Sequence, residues 1–275
     1  MKTRSIESKH NPKLKELRRA LTHPAHRPGD LAGIEGPNLV EEAVRAGVPV
    51  ESIFFASGQE RFVERLKLRP ETEVLQLDPA LLASVLTTEA PQPVAALVRP
   101  QAFAWADLLP KGQTPLLIVL AGLQDPGNLG TILRSAEAFG ATGVVALPGT
   151  VSPWNPKAIR ASAGSFFRLP FLASSVDECF ARLAEAEVRV WTTAVRKAKA
   201  ASEADLARAS AILIGNEGNG VPQEIAARAD RALTIPCPGP VESLNAAVAS
   251  SILLYEASRQ RVASGNAAGK KKGAE

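Results

Sequence analysis

From residue 116 onward, short apolar runs alternate with longer amphipathic ones. LLIVLA (116–121) is apolar throughout, which predicts a strand covered on both faces. GLQDPGNLG then predicts a tight loop. NLGTILRSAEAFG predicts a helix closed by Gly140, and GVVALP the next strand, so a βαβ unit forms within about thirty residues. PWNPKAIRASAGSFFRLPFL predicts a helix, a glycine turn and a short strand, and SVDECFARLAEAEVRVWTTAV a helix and a strand. AILIG (211–215) is another apolar strand, followed by GNEGNG. VPQEIAARAD is a helix with Pro222 in its first turn, and RALTIP is the last strand. This order predicts a mostly parallel sheet with helices on both faces.

The pattern ends in IPCPGPVESLNAAVASSILLYEASRQ. Pro236, Pro238, Gly239 and Pro240 predict a stiff loop that cannot be a central strand. A long helix follows, with Ser243 as its expected N-cap. Leu244, Ala247, Val248, Ile252 and Tyr255 recur on one helical face, and Ala246, Ala249, Ser250 and Ser251 keep the surface small enough for another backbone to approach.

Residues 2–22 predict a short basic helix starting near Asn11-Pro12. Leu14, Leu17 and Leu21 share a face, and Lys13, Lys15, Arg18 and Arg19 surround it. Between 31 and 98, helical runs (GPNLVEEAVRAG, RFVERLKLR, PALLASVLT) alternate with strand-like ones (SIFFAS, EVLQL, PVAALV). The expected division is a basic helical arm (1–30), a small α/β domain (31–98), a proline-rich linker (99–115), a larger α/β domain (116–265) and a disordered basic tail (266–275).

Composition narrows the class. The 275 residues are 45% hydrophobic, enough for a proper core. No apolar run reaches ~18 residues and no apolar signal region opens the chain, so neither a membrane span nor secretion is expected. Cys179 and Cys237 are isolated and form no CxxC, which suits the cytoplasm. His10, His23 and His26 all lie near the start, which argues against a histidine-based catalytic core. Residues 1–30 hold eight Lys/Arg against three Asp/Glu, and 266–275 three Lys against one Glu. Such ends are arms for a polyanion or a solvated face, and charge alone does not separate the two. Aromatic residues, at 5%, are too few for a base-stacking sheet.

Three loops, 122–130, 215–222 and 236–243, follow the carboxyl ends of apolar strands, where ligands sit in open parallel sheets. They bring Asn128 with Arg134, Asn216 with Glu217, and Ser243 with Asn245. Neither GNLG nor GNEGNG is a G-x-G-x-x-G opening a helix, and GxxxxGK[ST] is absent. Asp125, Glu217 and Glu242 without histidine make a poor metal set, so no metal is expected.

These stretches together resemble the SpoU/TrmH branch of the SPOUT methyltransferases. NLGTILRSAEAFGA is similar to its first motif, IGNEGNGVP to its second and IPCPGPVESLNAAVA to its third, in order and each after an apolar strand. ESKHNPKLKEL, GIEGPNLVEEA and TTEAPQPVAALV resemble the substrate-binding domain that precedes the catalytic one in many members. The resemblance implies a trefoil-knotted sheet, S-adenosylmethionine as cofactor, a homodimer, and methyl transfer to a ribose 2′-hydroxyl of RNA, of ribosomal more than transfer RNA. Transfer to a base atom, or RNA binding without turnover, is the alternative. The motif positions imply a cofactor site at Gly215, Asn216, Glu217, Ile235, Pro236, Leu244 and Asn245. They make Arg134 the catalytic arginine, either general base or phosphate clamp, supported by Asn128, Glu217, Ser243 and Asn245. RNA would be met by Lys13, Arg18, Arg19, Arg27 and Arg134. The chain departs from the pattern at Asn38-Leu39, where many relatives carry a basic residue, and at Ala246-Ala247, where bulkier or hydroxylated residues are common.

Overall fold

The structure, a computed structural model, describes residues 3–25, 29–194, 198–241 and 243–272, with backbone alone over 265–272. The chain divides into two compact units: residues 1–101 with 152–168, and residues 102–151 with 169–275.

The first unit holds a five-stranded sheet in the order β1 (Thr3–Ile6), β4 (Glu73–Leu77), β3 (Val50–Ala56), β5 (Val94–Val98), β2 (Ala32–Glu35). β1, β4 and β3 run parallel, and β5 is antiparallel to both β3 and β2. Its helices are α1 (Pro12–Thr22), α2 (Pro37–Arg45), α3 (Glu60–Arg65), α4 (Pro79–Ala83) and, from the later segment, α7 (Pro156–Ser162).

α1 starts where expected: Asn11 caps it by accepting from the Lys13 amide at 2.9 Å, with proline at the start. Its apolar face, Leu14, Leu17, Ala20 and Leu21, joins Ile6, Phe54, Leu75 and Leu97 in one core. The expectation of a separate basic arm over 1–30 is therefore corrected. β1 pairs with β4, and α1 is a wall of the domain. The strand escapes the sequence pattern because Thr3, Arg4 and Ser5 are exposed along a sheet edge.

The second unit is built on a seven-stranded sheet in which every pair is parallel. Its order is β10 (Lys199–Ala200), β12 (Arg231–Thr234), β9 (Arg189–Thr193), β11 (Ser210–Gly215), β6 (Leu116–Ala121), β7 (Gly143–Ala146), β8 (Phe171–Ala173). α5 (Trp105–Leu108), α8 (Val176–Glu185) and α9 (Gln223–Ala226) bring Leu108, Cys179, Phe180, Leu183 and Ile225 into a core with Leu117, Val119, Ala211 and Leu213. The intervening Ile118, Leu120, Ile212 and Ile214 are buried as well, so the central strands are covered on both sides. α6 (Pro126–Ala138) and α10 (Ala246–Lys272) pack on each other.

α10 corrects three expectations. Asn245, not Ser243, caps it: Asn245 Oδ1 accepts from the amides of Ala247 at 2.9 Å and Val248 at 3.2 Å. The face it buries carries Ala247, Ser250, Leu253, Leu254 and Ala257, whereas Val248, Ile252 and Tyr255 point to solvent. It also runs to Lys272, through most of the tail expected to be disordered; residues 273–275 lie outside the described residues.

Candidate active site

β6 and β11 end level with each other, Ala121 opposite Gly215. The loops leaving them therefore begin side by side. Beyond Gly215 the chain turns back at once, the backbones of Asn216 and Gly220 exchanging hydrogen bonds at 3.0 and 2.9 Å. A Cβ on Gly215 would lie 2.0 Å from the Gly220 carbonyl carbon, so only glycine allows this turn. Asn216 Nδ2 donates to the Gly122 carbonyl at 3.1 Å and its Oδ1 accepts from the Gly218 amide at 2.8 Å, tying the second loop to the first. Thr150 Oγ1 braces the first loop from the other side, accepting from the Gly122 amide at 3.3 Å and donating to the Leu120 carbonyl at 3.1 Å.

Glu217 is the hub. Its Oε1 accepts from the Asp125 amide and from Asn128 Nδ2, both at 3.0 Å, and its Oε2 from the Gln124 amide at 3.3 Å. Burial pushes its carboxyl up, but the bonds from Asn128 and from these amides outweigh burial and hold it below the ordinary carboxylate range. Asn128 in turn accepts on Oδ1 from Asn245 Nδ2 at 3.0 Å. A continuous path, Glu217 to Asn128 to Asn245, thus joins the β11 loop, the start of α6 and the cap of α10. Deeper in, Ser135 and Ser251 share a hydrogen bond at 2.7 Å between the same two helices.

α6 begins two residues before the expected Asn128, because Asp125 Oδ1 accepts from the Asn128 amide at 2.7 Å and Pro126 opens the first turn. The Asp-Pro pair was the available signal. Asn216 and Thr150 as loop braces had none, since each acts on a backbone group far away in sequence.

Other expected residues do not join the network. Arg134 is exposed on α6, roughly 120° round the helix from Asn128, and makes no hydrogen bond or ion pair among the described residues. Ser243 is exposed, and its neighbour Glu242 lies outside the described residues. Ile235 and Leu244 are half-buried and Pro236 is exposed, at the two ends of the proline loop. Lys13 is already engaged: Glu73 lies 3.0 Å away and Glu16 3.5 Å. Burial works against its charge, but the two carboxylates leave its ammonium above the ordinary lysine value. Arg18 and Arg19 are exposed on α1, and Arg27 lies outside the described residues.

The proline loop has the chemistry of a nucleoside cradle. Across 235–244 the described residues make no backbone–backbone hydrogen bond, and Val241 stands 59% exposed among them. The Ile235 carbonyl accepts from Cys237 Sγ at 3.4 Å; the other peptide groups of this stretch, having no backbone partner and standing beside an apolar side chain, suit the hydrogen-bonding edge and flat face of a purine. A nucleoside cofactor such as S-adenosylmethionine fits this chemistry.

Comparison with known proteins agrees with this geometry. Residues 115–255 match the SpoU rRNA Methylase family, and residues 11–96 match the MRM3-like substrate binding domain. RlmP of Bacillus subtilis, a 23S rRNA (guanosine(2553)-2′-O)-methyltransferase, is 33% identical over 253 residues, covering 92% of this chain and 98% of that protein. Among solved structures, an AdoMet-bound rRNA methyltransferase from Sinorhizobium meliloti superposes with a TM-score of 0.82 at 27% identity, over 94% of this chain and 98% of its own. The SpoU methyltransferase AviRb from Streptomyces viridochromogenes, in complex with AdoMet, does so with a TM-score of 0.80 at 28% identity, over 92% and 99%. With its three strand-end loops joined through Glu217, Asn128 and Asn245, the chain belongs to the SpoU rRNA methylase family.

Proposed function

We propose that the protein methylates a ribose 2′-hydroxyl of ribosomal RNA, using S-adenosylmethionine, and acts as a homodimer in the cytoplasm. The observation that carries the reading is the path from Glu217 through Asn128 to Asn245, which locks the three cofactor loops together. When bound, S-adenosylmethionine supplies a methyl group already activated by its sulfonium. The chain must hold the ribose in line with that methyl group and deal with the hydroxyl proton.

Arg134 is the cation nearest in sequence to this network that no carboxylate engages. A guanidinium keeps its proton in proteins and binds phosphate through two parallel bonds. We therefore give Arg134 the phosphate beside the target ribose. The hydroxyl proton leaves to that phosphate or to water as the new O–C bond forms. Asn128, Glu217 and Asn245 keep the loops and the start of α6 in register, and Ser243, on the rim, meets the ribose. In this reading the segment carrying the proline loop follows the knotted path of the family, which the packing of α10 on α6 supports.

The homodimer is supported by the outer stripe of α10. Val248, Ile252 and Tyr255 are 48%, 38% and 55% exposed, and Tyr255 meets Phe139 edge-on at 5.8 Å. A second copy of this stripe is a self-complementary cover. Cytoplasmic placement is supported by the proposed RNA substrate and by two cysteines that form no disulfide.

The test is transfer of labelled methyl groups to ribosomal RNA from cells lacking the protein, with transfer RNA as a second substrate, followed by nucleoside analysis. Label in a 2′-O-methylnucleoside of ribosomal RNA is expected. Label in a methylated base, or in transfer RNA alone, would overturn the reading.

A further inference from the structure

Within the first unit, three parallel strands end level with one another. Leu77, the last residue of β4, lies opposite both Ile6 on β1 and Ala56 on β3. Beyond the carboxyl ends of parallel strands is where an open α/β sheet takes a ligand. A cleft of about 470 Å³ lies there, a size that suits a small planar molecule. Glu7, Asp78 and Ser57, the residues that follow the three strand ends, all border it, together with Ser5, Gln76 and Leu81. Ile6 and Leu77 are its buried apolar floor, and Leu81 is half-buried beside them.

The side-chain polar groups of the cleft are nearly all acceptors. Gln76 Nε2 is spent on Glu60 Oε1 at 2.8 Å and on Ser57 Oγ at 3.5 Å, which leaves Gln76 Oε1 without a bond among the described residues. Ser57 gives its one proton to the Leu77 carbonyl at 3.2 Å. Asp78 caps α4 through Oδ1, which accepts from the Ala80 amide at 2.9 Å, and its Oδ2 accepts no bond among the described residues. Glu7 is exposed and makes no hydrogen bond or ion pair among the described residues. The Ser5 hydroxyl is the one side-chain donor left over, and no cation borders the cleft. Such a surface repels phosphate and favours a neutral molecule rich in N–H donors. The apolar floor asks for a flat ring rather than an ammonium group. Among the RNA bases, guanine alone has more donors than acceptors on its Watson–Crick edge, N1–H and the 2-amino group beside O6. Uracil offers one N–H between two carbonyls, and cytosine and adenine one amino group beside acceptors.

We propose that this cleft binds an unpaired guanine of the substrate RNA: the Glu7 carboxylate accepts from N1–H and the 2-amino group, the Ser5 hydroxyl donates to O6, and Leu81 covers the ring. Repulsion between the carboxylates and phosphate keeps the sugar–phosphate backbone outside, so the base enters alone. The proposal rests on the RNA methyltransferase reading and deepens it by giving the first unit a base to read.

The experiment uses the full chain and single-stranded pentaribonucleotides of sequence AAGAA, AAIAA and AAAAA, where I is inosine, which lacks the 2-amino group of guanosine. Binding is measured for wild type, Glu7→Ala and Ser5→Ala, with melting curves and S-adenosylmethionine calorimetry as controls. Wild type is expected to hold AAGAA about tenfold more tightly than AAIAA, with AAAAA weaker still. In Glu7→Ala the preference for AAGAA over AAIAA is expected to vanish. Melting temperature and cofactor affinity should stay as they are, since Glu7 is exposed and holds no other group among the described residues. Ser5→Ala is expected to weaken AAGAA and AAIAA alike, because both carry O6, and to leave AAAAA unchanged. A folded Glu7→Ala variant that keeps the preference overturns the proposal. So does one that binds all three pentamers more tightly, which would make the carboxylate a repellent. Both results leave the enzyme reading intact. Wild-type protein that prefers AAGAA yet transfers no methyl group to ribosomal RNA overturns the enzyme reading instead.

Discussion

Asn128 has no freedom to turn its amide over. Asn245 spends its own oxygen on the amides of α10, so it can offer Asn128 only an N–H, and Glu217 can only accept. Asn128→Asp keeps the shape and sets two carboxylates face to face; it is not a conservative change. Glu217 itself gives a pH test. Its folded carboxyl lies below the ordinary 4.5, so its stabilising bonds are fully present above that value and fade as pH falls through the lower, folded one. Glu217→Gln is expected to lower stability by about 1 kcal/mol at pH 7, a figure kept small because the side chain is exposed. The gap from wild type should close as pH drops below 4.5. Melting curves over a pH series check this, and a gap that widens toward acid would refute it. Arg134→Lys keeps the charge and loses the two-pronged geometry. Turnover is expected to fall at least about tenfold with cofactor affinity kept, measured by kinetics and calorimetry. Motif position put Asn128, Glu217 and Asn245 on loops at neighbouring strand ends, and the three are hydrogen-bonded in a row. Ser243 was mistaken for a cap because either residue suits the role, and only the positions of the Ala247 and Val248 amides decide between them.

The central strands declared themselves, since apolar runs such as LLIVLA and AILIG leave little choice. What stayed hidden was short or at an edge: β1 with its exposed Thr3, Arg4 and Ser5, β10 with two residues, α5 with four. α10 was legible as a helix but not in its orientation. Two apolar stripes run along it, and periodicity cannot say which meets its own core and which faces outward. Leu253, Leu254 and Ala257 took the core. Ile252→Glu is therefore expected to leave the monomer fold intact while weakening the proposed dimer at least about a hundredfold, because a charge would be buried without a partner. Sedimentation over a concentration series reads this directly, and an unchanged dimer would remove the stripe from the interface. Leu253→Glu, by contrast, should unfold the second unit.

The first unit is discontinuous, and nothing in the local pattern announced it. Periodicity places a helix near 156 but cannot tell which core that helix joins; the close approach of Gly164 to Glu42 decides the matter. The same separation of near in space from near in sequence governs the active site. Asn128 and Glu217 are 89 residues apart, and Asn128 and Asn245 117. None of these contacts is made within a helix or a hairpin, so each waits for the closure of a long loop, which is entropically costly and slow. Helices and the strand pairings closer in sequence can therefore form in a chain that still lacks this network. In refolding, far-ultraviolet dichroism should recover well before the ability to bind S-adenosylmethionine, and the cofactor, by capturing only the finished state, should shift the end point without speeding the early phase. The path from Glu217 to Asn245 is, in this sense, a timer: the protein becomes an enzyme only when its most distant parts have met.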